Sequence, residues 1–121
     1  MTDEAKRKFL VSYLIPAAVV EEWKKTDPET RQAAEQKVMQ EWHQWSQDHA
    51  SITLSTEAGG KTKRVTSSGI SDTNNDIMVL SFVEAESLQA AAQIFENHPH
   101  LQIMQASIEV MEVKQMGGRL G

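Results

Sequence analysis

The chain has 121 residues, the size of one ordinary domain, and its 40% hydrophobic and 24% charged content supplies enough apolar material for a single core. A net charge of −5 works against binding a polyanion such as nucleic acid, and the basic clusters Lys6-Arg7-Lys8 and Lys61 to Arg64 come with no recognition motif. The absence of cysteine excludes disulfides, cysteine-ligated zinc, iron–sulfur clusters and thiol catalysis.

Lys6-Arg7-Lys8 followed by the apolar run Phe9 to Val20 has the outline of a signal peptide. Asp3, Glu4 and Pro16 break that outline, Glu21-Glu22 follow in place of a small-x-small cleavage pattern, and the run falls short of the ~20 residues of a spanning helix. A cytoplasmic protein with no membrane partner is expected.

Residues 8–15 are rich in β-formers and read as the first strand, ending at Pro16, which suits the first turn of a short helix over 17–25. Thr26, with Glu29 three residues on, reads as the N-cap of a second helix. That helix runs to about His49 without Gly or Pro, and Ala34, Val38, Trp42, Trp45 and His49 form its apolar face. Residues 51–56 read as the second strand, with Ile52 and Leu54 inward, and residues 57–61 as a loop. Extended chain is predicted over 62–67, and a polar turn region over 69–76. Residues 77–83 are a strong strand; Ser87 then caps a helix to about Asn97, with the stripe Leu88, Ala91, Ala92 and Phe95 and a stop at Pro99. Residues 106–113 form the last strand. The ordered core of this single domain is thus about 8–113, with 114–121 read as a flexible tail.

The strands over 8–15 and 77–83 are apolar on both faces, as central strands are, whereas Thr53, Ser55, Glu109 and Glu112 make the other two half polar, as outer strands are. This order, with β-α-β-β-α-β succession, predicts an α+β fold of ferredoxin-like type with an antiparallel sheet. Right-handed crossovers put the helices on one face and leave an apolar face that a second copy of the chain would cover; loops or the tail folding over it are the alternative.

Phe9 to Ile15, Trp42-His43-Gln44-Trp45, Gly60 to Val65, and the stretch from Val83-Glu84-Ala85-Glu86-Ser87-Leu88 through His98-Pro99-His100-Leu101 to Ile108-Glu109-Val110 resemble the YCII-related family. The likeness covers about residues 8–113. It implies a dimeric α+β barrel, in which two ferredoxin-like sheets pack on each other. Some members carry a His–Asp pair in a pocket, the Asp standing just before a proline. Here that position is His98, and the helical His would fall near Met39, or at His43 with a gap.

Imidazoles titrate near neutral pH, so His98, His100 and His43 are the candidate acid/base groups for a cofactor-independent reaction. The competing expectation is that His98 caps a helix C-terminus and Pro99 stops the helix. A metal would need His43 or His49 as third ligand to the His-x-His, and no metal site is assigned. Tyr13, Trp42 and Trp45 read as either core or pocket wall, and Lys61, beside Gly59-Gly60, as a contact for an anionic group. The Gly-Lys-Thr there is no phosphate loop, because extended chain and not a helix follows it. Calcium-loop and serine-hydrolase patterns are absent. Two functions remain: binding of a small organic, anionic-leaning molecule, with histidine catalysis as an extension, or a non-enzymatic dimeric sensing or accessory domain.

Overall fold

Pro16 lacks an amide proton and cannot continue a sheet ladder, so β1 (Arg7–Leu14) gives way beyond it to α1 (Ala17–Lys24) in the computed structural model, which describes residues 6–114. The expected tail over 114–121 lies outside the described residues, apart from Lys114. Next comes α2 (Pro28–Asp48), capped by Asp27 and not Thr26: the Asp27 carboxylate accepts from the Thr30 N–H at 3.0 Å, leaving Pro28 at N1. The half-buried positions of α2 include Ala34, Val38, Trp42, Trp45 and His49, so the stripe read from spacing is the face that packs.

Strand β2 (Thr53–Ala58) follows, then β3 (Thr62–Thr66), β4 (Gly69–Thr73) and β5 (Ile77–Ala85). The 69–76 region is therefore largely a strand and not a turn. β3 and β4 form a separate two-stranded hairpin in which Lys63 faces Asp72 and Val65 faces Ile70, and Gly69 (φ 131°) supplies a backbone conformation that side chains disfavour. Helix α3 (Leu88–Ile94), a 3-10 turn (Pro99–Gln102) and β6 (Ser107–Val113) complete the described residues. Ser87 caps α3 as expected, accepting from the Ala90 N–H at 3.0 Å. The helix ends earlier than read, before Asn97 takes a left-handed conformation (φ 64°), and Pro99 opens the 3-10 turn instead of stopping α3.

The main sheet is antiparallel in the order β2-β5-β1-β6, so the two doubly apolar strands are central and the half-polar ones are outer. The three helices and two sheets make an α+β structure compatible with a ferredoxin-like fold. Phe9, Val11 and Tyr13 of β1, with Ser81, Val83 and Ala85 of β5, are buried on one face, and Ala91 and Phe95 of α3 with Trp42 and Trp45 of α2 pack over them. Two side chains miss their expected places. Leu54 is 51% exposed, because a register shift between Thr53 and Ser55 rotates β2, while Ile52 does pack on the core. On α3 the inward face is Ala90, Ala91, Ile94 and Phe95; Leu88 and Ala92 point outward, a rotation set by how the helix sits on the sheet.

On the other face of the sheet, alternation places Leu10, Leu14, Leu80 and Phe82, all half-buried, with Met78 (38% exposed) and Met111 (57% exposed) beside them. Helices α2 and α3 pack on the opposite, core face. Lys8 covers part of the face that carries Leu10, its ammonium 4.7 Å from the Phe82 ring centre. Among the described residues no helix is long and apolar enough to cross a membrane.

Phe9 is fully buried at the centre of the covered face. Phe9→Ala is expected to cost about 3–5 kcal/mol of stability, read as a lowered urea midpoint with an unchanged slope.

Candidate functional site

Three segments far apart in sequence bring the aromatic residues together. β1 contributes Tyr13, α2 contributes Trp42 and Trp45 from one stripe, and the segment after α3 contributes His98 and His100. The Tyr13 ring centre lies 4.8 Å from Trp42, 5.2 Å from His98 and 5.5 Å from His100. Trp42 and Trp45 stand 4.7 and 4.4 Å from His98, both steeply inclined to it. Phe95 closes the group 5.1 Å from Trp45, and His49 stacks on Trp45 at 4.0 Å and 18°. The two indoles are half-buried, whereas Tyr13, His98 and His100 are each only 1% exposed. Trp42 and Trp45 thus form the outer wall and the imidazoles the floor.

His98 does not cap a helix C-terminus. It is the N-cap of the 3-10 turn, where its Nδ1 accepts from the His100 backbone N–H at 3.0 Å. The other ring nitrogen, Nε2, is buried without a hydrogen-bond partner among the described residues. Such an orphan is rare in folded proteins and costs about 1–3 kcal/mol. His100 is engaged differently: its Nε2–H donates to the Leu14 carbonyl at 3.0 Å, tying the turn to the end of β1. Between α2 and the turn, Lys37, Glu41 and Gln102 hydrogen-bond at the surface.

The electrostatics follow from this burial. Loss of water drives the His98 pKa down to about 4, with the neighbouring His100 and His49 adding to the fall. Burial also lowers that of His100, against the opposing pull of the Leu14 and Ser107 backbone groups. Tyr13 is pushed up to about 12 by desolvation, with the Ser81 side chain pulling the other way. At neutral pH the floor is therefore three uncharged polar rings inside an aromatic shell.

The remaining candidates lie elsewhere. His43, next to Trp42 in sequence, faces outward from α2, with its Nε2 3.1 Å from the Gln47 amide nitrogen. Lys61 is exposed and lines a cavity of about 200 Å³ with Gly59, Gly60, Thr62, Asn75, Ile77 and Leu80. A Cβ on Gly59 would stand 2.9 Å from the Ile77 carbonyl oxygen, so this loop runs against β5 too closely for a side chain. Among the described residues no group of three or more His, Cys, Asp or Glu is placed to hold a metal.

Ser81 escaped the sequence reading, since a lone serine inside a strong strand carries no signal. It is 2% exposed beneath the sheet's covered face, bonded to the Thr56 hydroxyl at 2.8 Å. Phe95 was legible only as a member of a helical stripe.

Because the unfolded chain protonates His98 near 6.5 and the folded chain only near 4, the neutral ring's contribution to stability is complete above about pH 6.5 and is lost as pH falls toward 4. The loss attributable to His98 is on the order of 3 kcal/mol. Urea titrations from pH 7 to 4 should show it, and His98→Gln should flatten part of the slope, with His100 accounting for the rest.

Set against known proteins, the chain matches no family model, and no curated protein matches its sequence.

Proposed function

We propose that this protein binds a small organic molecule at the ring cluster of Tyr13, Trp42, Trp45 and His98, and that it works in the cytoplasm as a YCII-like homodimer joined through the open faces of its sheets. One observation carries the binding reading: the buried, unpartnered Nε2 of His98 beneath two half-buried indoles. A polar atom held out of water at a cost, behind a wall of half-buried indoles, is what a polar anchor in an apolar pocket requires. The YCII resemblance supports the same region, since some members of that family carry a carboxylate at the position that His98 takes here.

The dimer rests on separate grounds. Leu10, Leu14, Met78, Leu80, Phe82 and Met111 share the sheet face opposite the one on which α2 and α3 pack. Contiguous apolar surface of this kind marks an association site, and a dimeric α+β barrel would bury it. The second reading, a non-enzymatic dimeric module, draws on this face and on the rings filling the space around His98.

Thermal shift with a panel of lactones, phenols and small carboxylates tests the first reading. A hit should raise Tm in the parent and lose its effect in Trp42→Leu; a panel without hits leaves the module reading in possession. Light scattering at micromolar concentration should give about twice the 13.6 kDa chain mass. Leu80→Asp places a charge on the proposed interface, and a mass falling to one chain with circular dichroism retained is the expected result. A monomeric parent removes the barrel.

A further inference from the structure

The orientation of the His98 ring determines what its free nitrogen offers. Nδ1 receives the His100 N–H at 3.0 Å, so Nδ1 carries no proton. A neutral imidazole has one N–H, and here it must be on Nε2. The unpartnered atom is therefore a donor. At neutral pH it has no lone pair with which to take a proton, so the first-expected role as general base does not suit this nitrogen.

The surroundings then restrict the acceptor. The rings around His98 are Tyr13, Trp42, Trp45 and Phe95, and among the described residues the titratable partners that act on it are His100 and His49, with no lysine or arginine. Lys61, the residue expected to meet an anion, lines the separate cavity beside β5. A carboxylate at Nε2 would lie in an aromatic shell without a cation, and burying an unpaired charge is costly. A carbonyl oxygen accepts a hydrogen bond without that penalty. Indole walls stack on flat, polarisable molecules.

We propose that His98 acts as a neutral N–H donor, through Nε2, to a carbonyl oxygen of a flat, uncharged ligand that lodges against Trp42 and Trp45. The proposal rests on the binding reading above and specifies its ligand class. If the carbonyl carried a developing negative charge, the same N–H would stabilise it, as preorganised donors do in enzyme sites. His100 sets the tautomer through its backbone N–H, and its ring bond to the Leu14 carbonyl holds that N–H in place; it is a positioning residue.

The test uses the full chain at pH 7 with three probes: 1-indanone, indane, which lacks the oxygen, and benzoate, which is charged. Dissociation constants come from indole fluorescence. Indanone should bind about ten-fold more tightly than indane, and benzoate more weakly than indanone. In His98→Phe, which keeps a ring but no donor, both indanone and indane should bind with about equal affinity. Independently of any variant, ¹⁵N-resolved imidazole spectra of the parent should show His98 as the Nε2–H tautomer. Equal binding of indanone and indane by the parent, benzoate as the tightest probe, an indanone preference that survives His98→Phe, or an Nδ1–H tautomer overturns the donor role while leaving the pocket intact. If none of the three probes binds, the pocket reading falls, and the donor role with it.

Discussion

A four-stranded sheet with α2 and α3 packed on one face has to sort its side chains strictly by parity, because successive residues of a strand point to opposite faces. In β1 this sends Phe9, Val11 and Tyr13 into the core and Leu10, Ser12 and Leu14 to the open side. β1 pairs with β5 on one edge and β6 on the other, so a one-residue slip would turn the core face of the central strand outward. Tyr13 reaches the ring cluster through that register. The covered face, the open face and the floor of the candidate site are three consequences of one alternation.

Within the covered layer two effects oppose each other around His98. Desolvation favours the uncharged imidazole, and the aromatic shell makes water a poor competitor for its edges. Hydrogen bonding satisfies one nitrogen and leaves the other without a partner. A phenylalanine there would avoid that cost, though it would lose the bond that caps the 3-10 turn. Capping alone explains Nδ1; it gives no account of Nε2. The unpaired nitrogen is the feature from which a binding role can be argued, and the indoles above it are the half-buried part of the shell.

The sheet's open face and the ring cluster lie on opposite sides of the same strands, yet Leu14 contributes to both. Its side chain lies on the open face, and its carbonyl accepts from the His100 ring. Any association across the open face would thus bear on a strand end that also braces the site.

Strand order, the packed face of α2 and the Ser87 cap were legible in the amino-acid sequence because they depend on short-range chemistry. Double-sided apolar strands mark the centre of a sheet, the spacing of Ala34, Val38, Trp42 and Trp45 marks the packed side of α2, and Ser87 is a cap by residue type. Short-range chemistry failed where neighbours in space decide. The 69–73 strand gains its structure by pairing with β3, Leu54 was turned out by a register shift against β5, and α3 was rotated on the sheet so that Leu88 faces away. The site divides in the same way. Tyr13, Trp42, Trp45, His98 and His100 could each be singled out as residue types, but their meeting, and the separation of His43 and Lys61 from them, required the packed chain. Sequence supplied an imidazole able to titrate near neutral pH; burial among aromatic rings, a long-range property, made it a neutral ring with one proton on one nitrogen.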